Sequence, residues 1–369
     1  MKPTLGLYIH IPFCRSKCAY CDFYSLAHGE DRMDAYCAAL AASLRAAAPQ
    51  AADHAVDTVY FGGGTPSLLG AARLAALLET VTDGYAVAPG AEITFEANPE
   101  SAGGVSALRT LRGAGFNRIS LGMQSADDAE LRAVGRVHSA RDTEEAVAAA
   151  RAAGFNNLSL DLIFGLPAQT RARWRANLAA ALALAPEHLS CYALKVEPGT
   201  PLYARRDEAA LPDDDAQADM YLDAAELLPA RGYAQYEISN FARPGRESRH
   251  NLKYWTLGEY LGFGPGAHSD FGGRRFAAAR ELDAFLAGRT VYSEDAAIPP
   301  RERAAERVML GLRTARGLPA EALAGAETVL RDCAAHGLAE QSGGFWHLTA
   351  QGFLVSNAVI LRVQEAMGL

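Results

Sequence analysis

Short runs rich in apolar, β-branched and aromatic residues recur through the first half of this 369-residue chain, separated by longer Ala- and Leu-rich stretches of helical period. The alternation marks repeated βα units, because a parallel strand pair needs a crossover of a dozen or more residues between its members. Six runs qualify as strands: LGLYIHI from Leu5, TVYFGGG from Thr58, EITFEAN from Glu92, RISLGMQ from Arg118, LSLDLIFG from Leu158 and LSCYALKV from Leu189. Between them, stretches such as Met33 to Leu44 and Leu74 to Val81 carry apolar residues at helical spacing. An internal repeat supports the same reading, since Ala114-Gly115-Phe116-Asn117-Arg118-Ile119-Ser120-Leu121 returns as Ala153-Gly154-Phe155-Asn156-Asn157-Leu158-Ser159-Leu160. In both copies a helix ends at a glycine and a strand begins. The expected fold is α/β, a partial (β/α)6 TIM-like barrel of parallel strands.

After Val196 the pattern changes. Pro212 to Arg231 reads as a helix opened by Asp213, Asp214 and Asp215, which suit a helix N-terminus by capping and dipole. Tyr233 to Phe241 reads as a strand, and the Gly-rich stretch from Gly258 to Gly273 as loop. From Pro299 the chain is helical again, with Phe345-Trp346-His347-Leu348-Thr349 as a short β-ribbon before a last helix. Three units are expected: a barrel core over 1–240, a connecting segment over 241–298 and a small helical, winged-helix-like module over 299–369. That module carries seven Arg against seven Asp plus Glu, so it has no net positive field for DNA and is expected to pack or cover. The net charge of −8 likewise argues against nucleic acid as a partner. No signal peptide and no uninterrupted apolar run of membrane-spanning length is evident, and a cytoplasmic protein is expected.

The chemistry is concentrated in Cys14-Arg15-Ser16-Lys17-Cys18-Ala19-Tyr20-Cys21, three thiols at C-x3-C-x2-C spacing with no fourth partner close by. Iron–sulfur clusters are normally held by four thiolates, so a cube held by three leaves one iron free for another ligand. Zinc competes, but a closed zinc site wants four ligands, and the nearest further candidates are Cys37 and His28. The loop follows the first strand, and in parallel α/β architectures sites form at the C-terminal ends of strands. The other strand ends carry Gly62-Gly63-Gly64-Thr65-Pro66, Glu96 before Asn98-Pro99, Gln124-Ser125 and Asp161 before Phe164-Gly165, with Arg136 just beyond the fourth. Absent side chains in the glycine run let backbone approach a ligand closely, although a tight turn is the everyday use of such a run.

With Tyr20 before the last cysteine and Gly62-Gly63-Gly64-Thr65-Pro66 after the second strand, the first 200 residues or so resemble the radical S-adenosylmethionine (SAM) superfamily. The resemblance implies a 4Fe-4S cluster on Cys14, Cys18 and Cys21, with the methionyl amino and carboxylate groups of SAM at the open iron and cleavage of the sulfonium to a 5′-deoxyadenosyl radical. It further implies that Gly63, Gly64 and Thr65 face the methionyl end and that Glu96 and Arg136 hold polar parts of the ligand. Asp161 and Gln124 would lie around ribose and adenosine, Tyr8 would brace the sulfonium side, and Tyr20 belongs to the same set.

LYIHIPFC, YCDFYS and the later His250-Asn251-Leu252-Lys253-Tyr254-Trp255 together resemble the oxygen-independent coproporphyrinogen III oxidase group, and within it the HemW-type haem chaperones. Decarboxylating oxidases carry a further Cys two positions after the third cluster ligand, where this chain has Phe23, and a longer extension before the first strand. The resemblance thus implies haem as cargo, an acceptor protein and an electron donor of unspecified identity, with His250, Asn251, Tyr254 and Trp255 as candidate haem contacts. Oxidative decarboxylation of coproporphyrinogen is the alternative activity, and radical modification of RNA a more distant one that the acidic balance disfavours.

Overall fold

The computed structural model describes residues 2–369. Six parallel strands follow one another in space as in sequence: β1 (Thr4–Ile11), β2 (Ala55–Gly63), β3 (Val87–Ala97), β4 (Arg118–Gln124), β5 (Leu158–Phe164) and β6 (His188–Ala193). Their side chains obey the two-residue period of a strand with polarity reversed from the usual sandwich. Leu5, Leu7, Ile9 and Ile11 of β1, Val59 and Phe61 of β2 and Leu158, Leu160 and Leu162 of β5 face outward into the apolar core shared with the helices. The alternate residues, among them His10, Tyr60, Glu96, Ser120, Asp161 and Ser190, face one another across the interior.

Crossover helices cover the outer face. α1 (Met33–Ala47) buries Met33, Tyr36, Leu40 and Leu44, a stripe spaced by three and four residues, and packs beside α2 (Ala71–Gly84). α3 (Val105–Ala114), α4 (Ala140–Ala152) and α5 (Arg171–Ala183) continue the layer. The repeated helix-to-strand turn is built as its glycines require: Gly115 and Gly154 take φ of 119° and 92°, the left-handed region where a β-carbon is costly. Asn117, one turn later, clips β4 to β3 by accepting from Ile93 N at 2.9 Å and donating to Ala91 O at 2.7 Å.

Two expectations for the chain after β6 need correction. The segment Tyr233–Phe241 is not one strand but two, β7 (Ala234–Glu237) and β8 (Asn240–Ala242), folded antiparallel on each other. The break falls where the Glu237 carboxylate accepts from Ser239 N at 2.9 Å and from the Asn240 amide, so a side chain takes over hydrogen bonds a continuous strand would give its neighbour. The Gly-rich stretch 258–273 is not loop. It supplies β9 (Tyr260–Phe263), a seventh parallel strand beside β1, and β10 (His268–Phe271), which turns back on it. Gly262 is there for approach: a β-carbon on it would stand 2.1 Å from the His268 carbonyl oxygen. β11 (Arg274–Ala278) and β12 (Tyr292–Ala297) extend that edge to a sheet ordered β12-β11-β10-β9-β1-β2-β3-β4-β5-β6-β8-β7. The helix expected over 212–231 is α6 (Asp214–Leu227), capped by Asp213 accepting from Ala216 N at 2.8 Å.

α7 (Arg249–Trp255) lies beneath the interior, its first N–H groups, Arg249 N and His250 N, directed at the buried Glu92 carboxylate at 3.2 and 3.1 Å. Beyond α8 (Pro300–Gly311) come three short strands, β13 (Leu318–Pro319), β14 (Ala339–Ser342) and β15 (Phe345–Leu348), in the order β13-β15-β14, with α9 (Glu327–Ala335) and α10 (Ser356–Ala366) against them. This module is tied to the sheet by a cluster of charges. Arg303 and Arg275 both donate to Asp270 of β10, at 2.7 and 3.1 Å, and Arg275 also pairs with Glu306. No helix among the described residues is long and apolar enough to cross a membrane.

Candidate active-site cavity

At the C-terminal ends of the parallel strands lies a cavity of about 690 Å³, well within the size range of small-ligand sites. The loop carrying Cys14, Cys18 and Cys21 forms one wall and is pinned at several points. Ala19 N donates to Val134 O at 3.0 Å, Ala19 O accepts from Leu202 N at 2.8 Å, and His10 Nε2 bonds Tyr24 O at 2.8 Å. All three thiols are free and line the cavity. No three His, Cys, Asp or Glu side chains among the described residues converge as they would on a single ion. Three thiols without a fourth ligand beside them suit a cube with one open iron better than a closed zinc site, which takes four.

Beside the thiols the β2 end runs as bare backbone. A β-carbon on Gly64 would sit 2.7 Å from Phe13 O and 3.1 Å from Cys14 Sγ, and one on Gly62 would sit 3.2 Å from Glu96 Oε1. A relay of hydrogen bonds then circles the wall. Thr65 Oγ1 donates to Cys14 Sγ at 3.5 Å, Asn98 Nδ2 to Thr65 Oγ1 at 3.2 Å, Arg136 Nη1 to Asn98 Oδ1 at 2.7 Å, and Arg136 Nη2 to the Tyr20 hydroxyl at 2.7 Å. The chain leaves one cysteine and returns to the residue before another. Five side chains, two on the cluster loop and three from the segments after β2, β3 and β4, thereby hold the cluster loop in one geometry.

Two carboxylates face this wall. Glu96 accepts from the Tyr60 hydroxyl at 2.7 Å and from Gly63 N at 3.2 Å, and burial, aided by the nearby Asp161 charge, pushes its pKa up to about 7. Asp161 accepts from Ser190 at 2.7 Å, Ser120 at 3.0 Å and Ser159 at 3.4 Å, and burial raises its pKa against those bonds. Gln124 stands at φ 60°, a region that a residue with a side chain rarely enters, as β4 leaves the sheet. Such strain at a cavity wall is a mark of a functional position.

Cys14, Cys18, Cys21, Tyr20, Gly63, Gly64, Thr65, Glu96, Gln124, Arg136 and Asp161, expected to work together, border this one cavity. Tyr8 does not. It stacks behind Tyr60 at 6.3 Å between centroids, and its hydroxyl bonds His10 Nδ1 at 3.1 Å. Of the four candidate haem contacts, only Asn251 reaches the cavity. His250 is buried below it, with Nδ1 against Thr58 Oγ1 at 2.8 Å and Nε2 against the Tyr254 hydroxyl at 2.8 Å. In this arrangement both ring nitrogens are occupied, and iron would reach one only by displacing a hydroxyl and opening the barrel floor. Burial, with help from the Lys253 charge, also lowers the His250 pKa to about 3, so the ring is neutral.

The sequence reading passed over Tyr60, Ser120, Ser190 and Arg118, which also line the cavity. Parity signals Ser120 and Arg118, which stand an even number of residues from Gln124 on the same strand, whereas nothing in the sequence marks Tyr60 or Ser190.

A model of the radical SAM superfamily matches residues 8–179, and a model of the HemN C-terminal domain matches 298–355. The heme chaperone HemW of Mycobacterium tuberculosis H37Rv is 41% identical over 365 residues, covering 96% of this chain and 93% of the relative. The heme chaperone HemW of Escherichia coli K12 is 39% identical with 97% of each chain covered, and that of Bacillus subtilis 168 is 35% identical. Among solved structures, the coproporphyrinogen III oxidase HemN of Escherichia coli, described as a radical SAM enzyme, superposes with a TM-score of 0.83 at 25% identity over 98% of this chain and 90% of that one. With the thiol-lined cavity, the seven-stranded parallel run and this identity along nearly the whole length of its relatives, the chain belongs to the HemW family of the radical SAM superfamily.

Proposed function

We propose that this protein is a haem chaperone: it binds haem and passes it to an acceptor protein, and it carries a 4Fe-4S cluster and SAM. The observation that carries the reading is end-to-end similarity to HemW chaperones together with an intact three-thiol wall. Cys14, Cys18 and Cys21 hold the cluster. Glu96 and the backbone of Gly63 and Gly64 receive the methionyl end of SAM, with Thr65 and Arg136 keeping the cluster loop at the right distance. Asp161, its oxygens oriented by three serines, accepts from ribose hydroxyls, and Gln124 lies beside the adenosine. When bound, cluster and SAM supply one-electron radical chemistry at the cavity centre.

A second reading, oxidative decarboxylation of coproporphyrinogen III, draws on the superposition with the oxidase at a TM-score of 0.83. Phe23, where the resemblance leads one to look for a further Cys, weighs against it. One experiment separates the two. The reconstituted protein is incubated anaerobically with reductant, SAM and coproporphyrinogen III, then separately with haem. Stoichiometric haem retention without protoporphyrinogen is expected, and formation of protoporphyrinogen would overturn the chaperone reading.

A further inference from the structure

The mouth of the cavity carries chemistry that neither cluster nor SAM accounts for. The chain has four lysines in 369 residues, with arginine supplying every other basic side chain apart from histidine. Two of the four, Lys17 and Lys195, line this cavity, and neither has a carboxylate within ion-pair distance among the described residues. Lys253, by contrast, is buried and paired with Asp57 at 2.7 Å. Asp22 and Glu197 border the mouth as well and pair with neither lysine.

The apolar inventory is equally uneven. Eight large apolar side chains among the described residues remain exposed, and the two that border the cavity are both aromatic: Phe23, 64% exposed, and Tyr192, 41% exposed. An aromatic ring left in water costs free energy unless something covers it, and burying one is worth about 1.5–3 kcal/mol. Aromatic and cation come in pairs. On the cluster loop Lys17 Nζ donates to the Phe23 carbonyl at 3.3 Å, so the two residues are one unit. At the end of β6, Tyr192 and Lys195 are three residues apart. The pairs therefore come from the β1 and β6 ends of the six-strand run, with the interior between them. Lysine suits such a place, since its flexible stem carries a point charge that follows a carboxylate as it arrives and leaves.

A flat apolar disc bearing two carboxylates matches two aromatics and two unpaired lysines. We propose that the porphyrin sits in this mouth, its macrocycle against Phe23 and Tyr192 and its propionates toward Lys17 and Lys195, with no histidine of α7 on the iron. The proposal rests on the haem reading above and gives it a location. Recognition is by face and carboxylates, which suits a cargo that must leave again.

The test uses the full-length, cluster-loaded protein under anaerobic conditions, with haem binding followed by absorbance and iron-free protoporphyrin IX by fluorescence. Protoporphyrin IX is expected to bind and displace haem, and its dimethyl ester to compete at least about tenfold less well. The combined Phe23→Ala, Lys195→Glu variant is expected to lose about tenfold or more in affinity for both ligands while cluster absorbance and thermal midpoint stay as in the parent. His250→Gln is expected to keep full haem stoichiometry. Unchanged haem affinity in the Phe23/Lys195 variant, failure of protoporphyrin IX to compete, or loss of haem in His250→Gln overturns the mouth assignment and leaves haem binding itself intact. Absence of haem binding by the parent protein sinks the chaperone reading as well.

Discussion

At Glu96 a carboxyl group is buried at the cavity wall with hydrogen bonds from Tyr60 and Gly63 N and no ion-pair partner among the described residues. Its pKa is raised by burial to about 7, so the sign of its pH dependence follows. The stabilising contribution of the neutral form is complete below the unfolded value near 4.5 and disappears as pH rises through about 7, because above that a charge is buried at a cost that the Arg118 charge and two hydrogen bonds do not offset. Ligand-free protein is therefore expected to lose stability on the order of 2 kcal/mol between pH 5 and 8, and Glu96→Gln to flatten that fall in thermal unfolding. SAM affinity moves the other way, since the N–H groups of an iron-bound amine donate more strongly to an ionised carboxylate than to a neutral acid. Calorimetric titration should show it strengthening by about tenfold from pH 6 to 8 in the parent and hardly at all in Glu96→Gln. Arg136 makes a second residue-scale case. Its guanidinium bonds both Asn98 and Tyr20, a geometry lysine does not reproduce, so Arg136→Lys should lose cluster on desalting nearly as readily as Arg136→Ala. Glu96 stood out as a carboxylate near a strand end, whereas Arg136, parted from β4 by a helix over Asp128–Ala133, was named through the family resemblance. Tyr60 and Ser190 were not legible, because mid-strand polar residues read as solvent-facing until the interior proves polar.

Among the elements, the β2 end and α7 show what a strand or helix does for the site. Gly64 leaves room for Phe13 O and Ile11 O, which would stand 2.7 and 2.9 Å from an added β-carbon. Backbone on both sides leaves nothing to yield, so Gly64→Ala should displace the cluster loop and reduce iron content severalfold by colorimetric assay. Gly104→Ala is the control, as Gly104 has ordinary φ of −79° and open space around it. α7 acts from below, with His250 stacked 5.2 Å from Tyr60 and bonded to Thr58. His250→Ala should cost roughly 2–4 kcal/mol in chemical denaturation by opening a void and orphaning the Thr58 hydroxyl. The helix was foreseeable as an aromatic motif, but its position was not. Its place depends on Glu92 and Asp57, whose pairing with 249–253 spans more than 150 residues of sequence. The barrel strands were legible because their outer faces are continuous apolar series. β9 and β10 were missed because four-residue strands containing or flanked by glycine carry the signature of a turn, and only the 2.1 Å approach of a Gly262 β-carbon to the His268 carbonyl oxygen explains the glycine within β9.

Across the whole molecule, the C-terminal module is held to the sheet by charges around Asp270, which is buried and accepts from both Arg275 and Arg303, by backbone bonds from Ile238 N to Arg313 O and from Ala315 N to Tyr236 O, both at 3.0 Å, and by a shared apolar core. Removing the carboxylate leaves two guanidinium groups to share Glu306 alone, so Asp270→Ala should destabilise by about 2–4 kcal/mol. Urea unfolding should then separate into two transitions, the module first, whereas one transition at the parent midpoint would contradict this role. The account as a whole rests on a three-thiol cube whose remaining iron meets SAM in the β-strand-end cavity. Electron paramagnetic resonance of the anaerobically reconstituted, reduced protein tests this most directly, read with and without SAM beside iron and sulfide analysis. The account predicts about four irons per chain, a signal that changes when SAM is added, and loss of that signal when Cys14, Cys18 and Cys21 are all replaced by alanine. A protein that binds zinc in their place, or a cluster whose signal ignores SAM or survives the triple substitution, would contradict it.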